Sequence, residues 1–495
     1  GYDTSYVTVE DPSKSYTLRL GEEAVVGEEI VIEGSRISDR LKESPVTVQQ
    51  MDLISIQENT SSDFYEGLAN LKGVDITSAS MGFKVINTRG FNSTSPVRSL
   101  QLIDGVDNQS PGLNFSLGNL VGASELDVQS VDLIVGANSA YYGPGAFNGV
   151  VKIKTKSPFV HEGLSAQVKG GERGLIDGAI RYAQKFKNSA GKDKFAFKVN
   201  LAYMRANDWE ARTFAATDTS VKKEGNPGGW DAINIYGDEN IDPRFGDFEN
   251  SSTLRRTFPG LGVIYRTGYK EENVVDYGTY SLKSQASAHY KVTQDIEAMY
   301  SYKFSQGTAV YQGDNRYSLR DFRFQQHIAE IKQEDKFFFR SYYTKEDAGK
   351  SYDAVYTGIM LQDYAKASQF WYQDYSRFWG NEIVPRIEDQ YGYDINNVPG
   401  NQTTEQYIDS ILTLIPEDQL EGWHEEAREF ADGDERVGRT FPTQQGPFGP
   451  NTARLEPGTE AFISEYNRIT SQPLTFDEQD PRNLNSGSRF IDESA

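Results

Sequence analysis

The sequence predicts an antiparallel β-barrel of the kind that crosses a membrane on strands, preceded by a small α+β domain. Three observations carry this reading. After Pro158 the chain falls into long segments in which apolar and polar residues alternate, the period of a strand with two unlike faces. The links between those segments alternate between short and long, as they do when only one end of a barrel bears large loops. Aromatic residues make up 12% of the chain and glycine 45 of its 495 residues, a composition of strands and turns rather than helical bundles.

The same composition excludes several classes. A net charge of −22 repels the phosphates of nucleic acid, so no nucleic-acid partner is expected. Cysteine is absent, which removes disulfide frameworks and thiolate zinc sites. No apolar window of about 18 residues is present, so no membrane helix is expected. Strands that cross a membrane give no such window. The opening "GYDTSYVTVE" has neither a charged start nor an apolar run, so the chain is expected to begin downstream of any signal peptide.

Residues 44–158 read as the small domain. In "SSDFYEGLANL", Phe64, Leu68 and Leu71 stand at i, i+4 and i+7 behind a serine cap, which predicts a short amphipathic helix. "KVINTRGF", "RSLQLIDGV" and "VDLIV" are short apolar runs bounded by Gly, Asn, Asp and Ser, each predicting a strand. Asp104-Gly105 ends one of them in a tight turn.

The segment "VDLIVGANSAYYGPGAFNGVVKIKTK", residues 131–156, concentrates glycines and invites a nucleotide reading. A phosphate loop needs Lys-Ser/Thr after the last glycine, then a helix. Here Gly143, Gly145 and Gly149 run into "VVKIKTK", with Val151, Ile153 and Thr155 on one face and Lys152, Lys154 and Lys156 on the other. That alternation is a strand. Asn148 stands where the third glycine of a dinucleotide motif belongs. The glycines are turn residues that accept positive φ.

Residues 159–345 carry about seven strands. They are centred on "GLSAQVKG", "DGAIRYAQKF", "KFAFKVNLAYMR", "TYSLKSQASAHYKV", "DIEAMYSYKF", "DFRFQQHIAE" and "KFFFRSYYT". In the third, Phe195, Phe197, Val199, Leu201 and Tyr203 alternate with Ala196, Lys198, Asn200 and Ala202. Membrane strands need about 9–11 residues with one face to lipid and one to a polar interior. A soluble sandwich also alternates, but with shorter strands. The links discriminate: "KNSAGKD", "TQ" and "IKQED" are short turns at one end. "GERGLI", roughly 206–275 and 307–318 connect at the other.

Residues 346–495 show no alternating segment of membrane length and read as a large loop region at the long-loop end. Within it "EQYIDSILTLIPEDQLEGWHEEAREFADG" reads as helix and "FPTQQGPFGP" as loop. Seven strands leave two open edges, which lipid does not tolerate. The barrel is expected to continue beyond this chain, or a second chain closes it.

In their order, "SPVTVQQMDLISIQENTSSDFYEGLANLKGVDI", "NTRGF", "LIDGV" and residues 131–156 resemble the plug domain of TonB-dependent outer-membrane receptors. The resemblance implies a plugged barrel of about 22 strands in the bacterial outer membrane, with plug and N-terminus facing the periplasm. It implies partnership with TonB and its inner-membrane motor, with outer-membrane lipids and with an unknown external ligand. It assigns Arg89, Gly90, Asp104, Gly105, Gly143 and Gly149 to the plug motif. The chain departs from the pattern at Lys72-Gly73, where the family has Pro-Gly, and at Val135-Gly136-Ala137, where it has Arg-Gly-Pro. The family's two arginines tie plug to barrel through acidic partners; this chain keeps only Arg89 of the two. Upstream, residues 27–43 resemble the TonB box region and linker, with Glu29, Ile30, Val31, Ile32 and Glu33 as the box. Such a segment suits strand addition to a partner's sheet edge; an ordinary linker strand is the alternative. Residues 1–26 resemble the end of a carboxypeptidase-regulatory-like extension, as on receptors from Bacteroidota.

Candidate chemistry is sparse. His161, His289, His327 and His424 are scattered, without metal spacing, and no Gly-x-Ser-x-Gly elbow is present. No enzyme activity, cofactor or metal is expected. The acidic stretch with Asp238, Glu239, Asp242, Asp247 and Glu249 offers oxygen ligands to calcium but lacks EF-hand spacing; a solvated acidic loop is the alternative. Ligand contact, on the resemblance, falls to the plug loops 91–97 and 107–115, with Asn92, Asn108, Gln109, Asn114 and Phe115. Surface turn is the alternative. The aromatics of "FWYQDYSRFW" (370–379) suit stacking on a ligand, an interfacial belt, or packing of their own segment. Two functions follow: energised import of an external ligand, or a non-transporting barrel in a cell-surface complex with lipoprotein partners.

Overall fold

The structure is a computed structural model and describes residues 47–58, 63–94, 96–143, 145–239, 246–333, 336–433, 452–474 and 486–489. The predicted extension and the box residues Glu29, Ile30, Val31, Ile32 and Glu33 lie outside the described residues.

The small domain is built on β1 (Val48–Met51), α1 (Leu53–Gln57), α2 (Phe64–Gly67), β2 (Val74–Ser80), β3 (Phe83–Thr88), β4 (Leu100–Ile103) and β5 (Val106–Asp107). After these come β6 (Gln109–Ser110), β7 (Phe115–Ser116), β8 (Val128–Ile134), α3 (Ser139–Tyr142) and β9 (Val150–Thr155). Its main sheet has the order β1-β8-β9-β4-β5, with β4 parallel to β9. Phe64 and Leu68 enter the core with Met51, Ile103, Val131 and Ile153. The helix expected over 61–71 is one α turn, α2, followed by a 3₁₀ turn at Leu68–Asn70. Gly67 weakens helix continuation. Its cap is Asp63, whose carboxylate accepts the Glu66 N–H at 3.0 Å. Lys84 of β3 is buried and pairs with Asp63 at 3.3 Å and Glu66 at 2.9 Å.

All seven expected long strands are present as one antiparallel path: β10 (Gly163–Gly170), β11 (Ile176–Lys187), β12 (Asp193–Asn207), then β15 (Gly278–Lys291), β16 (Ile296–Gln312), β17 (Arg316–Gln333) and β18 (Phe337–Asp347). The short β13 (Ile235–Tyr236) and β14 (Tyr269–Lys270) pair within the insertion between β12 and β15. The sheet is open among the described residues. We call its end with the links 188–192, 292–295 and 334–336 the lower end, and the opposite one the upper end. The link expected over 307–318 is mostly strand, since β16 runs to Gln312 and β17 starts at Arg316. Ala309, Tyr311, Leu319 and Phe322 pack there on Phe83, Phe115 and Leu117 of the small domain. That apolar contact favours ladder over loop.

Burial on this sheet is inverted. Lys198 is 2% exposed and its neighbour Val199 46%. Likewise Arg181, Asn200, Lys283, Gln285 and Lys303 are buried, whereas Leu164, Ile180, Tyr182, Leu201 and Tyr203 lie bare. The small domain packs on the polar face. The opposite face presents aliphatic and aromatic side chains of the kind water disfavours.

Beyond the upper end, the region read as loop is largely helical: α6 (Ala354–Ala365), α7 (Ser368–Phe378), α8 (Val384–Tyr391), α9 (Thr404–Leu412), α10 (Glu417–Asp432) and α11 (Glu460–Ser471). Two short helices, α4 (Ser252–Thr257) and α5 (Glu271–Val274), lie in the preceding insertion. A capping box starts α9: the Gln406 N–H donates to Thr403 Oγ1 at 3.2 Å, and the Thr403 N–H to Gln406 Oε1 at 2.9 Å. Trp371, Tyr372, Tyr375 and Trp379 form the core of this region with Ile408, Trp423 and Ala427, and with Leu261 and Ile264 of the insertion. The "FWYQDYSRFW" aromatics therefore fix their own fold. His424 lies among them, its ring 4.4 Å from that of Trp379. Burial pushes His424 down to about 3, so it stays neutral.

Candidate functional site

The candidate site is the seam between the small domain and the polar face of the sheet. Its lower part is a charge node. Asp127, fully buried before β8, accepts Arg181 Nε at 2.8 Å and Lys198 Nζ at 2.7 Å. Lys198 also donates to Thr155 Oγ1 at 2.7 Å and the Lys156 carbonyl at 2.9 Å. Thr155 in turn donates through Oγ1 and N–H to Asp104, at 2.8 and 2.9 Å. So Asp104, read as a turn residue, also closes the end of β9. Its neighbour Gly105 has φ +75°, and a Cβ there would lie 2.5 Å from Arg340 Nη1. The missing side chain lets Arg340 of β18 reach the Gly105 carbonyl at 2.8 Å, while its other nitrogens engage Glu330.

The remaining motif residues shape the small domain itself. Arg89 and Gly90 form a left-handed turn after β3, with φ of 56° and 75°. The Arg89 guanidinium lies over Gly136, where a Cβ would stand 2.6 Å from Nη1. Gly143 ends α3 at φ +91°, and Gly149 at φ +126° sits against the Ile134 carbonyl and Thr88. Between them Asn148 is spent on structure. Its amide donates to Asn87 Oδ1 at 3.0 Å and the Phe91 carbonyl at 2.9 Å, and accepts the Thr88 N–H at 3.0 Å. A strand follows, not a helix, so the segment offers no phosphate cradle.

The five residues expected at a ligand are not on one surface. Asn92 is exposed on the loop after β3. The other four lie on the β5–β7 segment near the upper end, where Asn108 is fully buried and neither side-chain polar atom has a partner among the described residues. Gln109 is half-buried, its amide filling the space beside Gly145. Phe115 is buried 5.5 Å from the ring of Tyr311. Asn114 is exposed at φ +57°. A cavity of about 230 Å³ between small domain and sheet is lined by Asn119, Glu125, Asp177, Trp209 and Lys283, among others.

Above the sheet, the acidic stretch divides: Glu249 is exposed, as a solvated loop predicts, whereas Asp238 is buried. Asp242 lies outside the described residues, and among those described no three His, Asp or Glu are grouped so as to hold a metal ion. Asp247 accepts the N–H groups of Glu249 and Asn250, and Glu249 pairs with Lys222 at 2.7 Å. Asp238 is buried with one oxygen bonded to the Ala232 N–H at 3.0 Å and the other without a partner among the described residues. Burial first, then Glu239 and Asp231, push Asp238 up to about 9. Burial, with Asp231 and Asp353 nearby, pushes Glu239 up to about 7, against its own N–H and that of Gly237. In the unfolded chain these carboxyls titrate near 3.8 and 4.5. Between those values the fold holds more protons than the unfolded chain, so stability falls as pH rises. The decline runs from the ordinary carboxylate range through about 7 and on to about 9. Asp238→Asn is expected to raise the melting temperature of the upper region at pH 8 by a few degrees and to flatten this decline. Tryptophan-fluorescence melts at pH 5 and pH 8 check it; equal wild-type stability at both would sink it.

Sequence reasoning missed Asp127, Asp208 and Glu346 as seam residues, and Asn148 as a structural residue within the small domain. Lys198 and Arg181 had a usable signal, since a cation at the inward phase of an alternating strand needs a partner. Asp127 had none, as nothing local shows which carboxylate the fold delivers.

Residues 40–150 match the TonB-dependent Receptor Plug Domain family. Solved structures similar to this chain include a copper transporter, OprC, at 12% identity and TM-score 0.37, over 60% of this chain and 37% of that one. The siderophore receptor PirA from Pseudomonas aeruginosa is similar at 14% identity and TM-score 0.36, over 63% and 41%. The alcaligin outer-membrane receptor FauA from Bordetella pertussis is similar at 11% and TM-score 0.36, over 63% and 40%. The chain thus spans about two fifths of their length. No curated protein matches it by sequence.

Proposed function

We propose that this chain is the plug and the first seven strands of a TonB-dependent outer-membrane receptor. It imports an external ligand through a plugged barrel, with the lower end facing the periplasm. The observation that carries the reading is the inverted sheet: ionic side chains such as Lys198 are buried against the plug while Val199 and its row lie bare. A sheet of that polarity belongs with its bare face in lipid and its other face around a filled lumen. The plug match over residues 40–150 supplies the filler. Further strands, from the same chain or a second one, close the barrel. Asn114 and Gln109 remain candidate ligand contacts from the upper turn of the plug.

In this reading residues 29–33 form the strand that TonB captures. Replacing Ile30 and Ile32 by proline removes strand-addition donors. The expected result is loss of binding to the purified periplasmic domain of TonB and loss of uptake, at unchanged surface level. Normal uptake by this variant would remove the energised mechanism, and normal TonB binding would remove residues 29–33 as the box. A second reading, a non-transporting scaffold with lipoprotein partners on the upper region, is favoured by one observation: the buried Asp127 node clamps the plug to the sheet. Normal surface assembly of such a complex without TonB binding would establish it.

A further inference from the structure

The plug is held at its upper end by two carboxylates that belong to the roots of the upper region. Asp208 is the first residue beyond β12, where the long insertion leaves the sheet. It accepts the Ser80 hydroxyl, and the Met81 N–H at 3.1 Å. Glu346 is the penultimate residue of β18, where the chain leaves for the helices. It accepts the Ser110 hydroxyl, and the Gly112 N–H at 2.8 Å. The same donor pair, a serine hydroxyl and a backbone N–H of a plug turn, thus occurs twice. Both carboxylates are buried, at 2% and 5% exposure.

These contacts differ in kind from the node below. Asp127 is the shared counter-ion of two buried cations, so parting it from them strands charge in a poor solvent. At the upper end the Ser80 and Ser110 hydroxyls and the Met81 and Gly112 N–H groups are neutral donors, and water can replace them once the turn lifts. Asp208 is also tied outward. Its N–H donates to the Tyr277 carbonyl at 2.8 Å, and Tyr277 donates its hydroxyl to Glu271 at 2.8 Å. Glu271, fully buried, further gathers Tyr236 at 2.5 Å, Asn234 at 3.0 Å and Arg316 at 3.0 Å. Strain in the insertion therefore reaches Asp208 through one residue.

We propose that Asp208 and Glu346 are latches by which the upper region holds the plug turns at 80–82 and 110–112, so that a load on the upper region releases them. The consequence for import rests on the transport reading; the latches themselves do not. The test is hydrogen exchange followed by mass spectrometry on the native outer-membrane protein, which needs neither ligand nor transport. Asp208→Asn is expected to speed exchange at the Met81 amide about 10- to 100-fold, the loss of one charge-assisted hydrogen bond. Exchange over 110–116 stays as in wild type. Glu346→Gln is expected to do the converse at Gly112. Ser80→Ala, which leaves both carboxylates in place, is expected to raise Met81 exchange in the same direction. It keeps the test open if Asp208→Asn also loosens β8 and β9. Tyr277→Phe, which removes the hydroxyl bonded to Glu271 and to the Ala211 N–H, is expected to raise Met81 exchange several-fold and so reports transmission from the insertion. Unchanged exchange at Met81 and Gly112 in the carboxylate variants overturns the latches. Unchanged Met81 exchange in Tyr277→Phe overturns the transmission.

Discussion

Asp127→Ala is expected to cost about 3–5 kcal/mol in the docking of the plug on the sheet. The magnitude follows from what the substitution leaves behind. Arg181 and Lys198, both 2% exposed, lose their counter-ion. Their remaining partners are neutral oxygens: His161 O for Arg181, and Thr155 Oγ1 and Lys156 O for Lys198. Limited proteolysis of the native protein should then cut within residues 44–158 while the strands of the sheet stay protected. The cost is electrostatic, so it should shrink when the stranded cations are removed as well. Combining Asp127→Ala with Arg181→Met and Lys198→Met is expected to dock better than Asp127→Ala alone. A triple variant as loose as the single one would show that Asp127 acts through local backbone structure instead.

Trp379→Ala is expected to destabilise the upper region by about 3–5 kcal/mol. Trp379 is fully buried, its indole N–H donates to the Pro259 carbonyl at 2.9 Å, and its ring lies against His424. It thereby joins the insertion between β12 and β15 to α10. Removing it opens a cavity and leaves a carbonyl without its donor. Trp379→Phe keeps much of the volume and loses the hydrogen bond, so a cost nearer 1 kcal/mol plus partial packing loss is expected. Near-ultraviolet dichroism and denaturant titration should show the upper region loosening before the sheet does. Simultaneous loss of both would mean that the helices and the sheet form one cooperative unit.

How much of the site was legible depends on the range of the interaction that makes it. The strands were legible because alternation is a local pattern, and each of the seven long segments formed where its period predicted. Asp104-Gly105, Gly143 and Gly149 were legible as turns because positive φ is a local demand met cheaply by glycine. The link at 307–318 was misjudged because its strand form depends on Phe83 and Phe115, far away in sequence. The helices before residue 404 were missed for a related reason. Trp371, Tyr372, Tyr375 and Trp379 read as a possible binding stripe until their partners on α9, α10 and the insertion were in view. Asn108 and Phe115 have the composition of a binding loop, and it was burial that took their side chains out of reach.

By itself the sequence determined the period of every long strand, the turns that need glycine, the polarity of the two sheet faces and the resemblance of residues 44–156 to a plug. Those properties reside in nearest neighbours and in spacing, which the covalent chain carries. Only the tertiary structure decided which carboxylate meets which cation or hydroxyl. Asp127 with Arg181 and Lys198, Asp208 with Ser80, and Glu346 with Ser110 are pairings across 54 to 236 residues. A buried charge dictates that a partner must exist. Which partner it finds is set by the register of the strands and the seating of the plug between them.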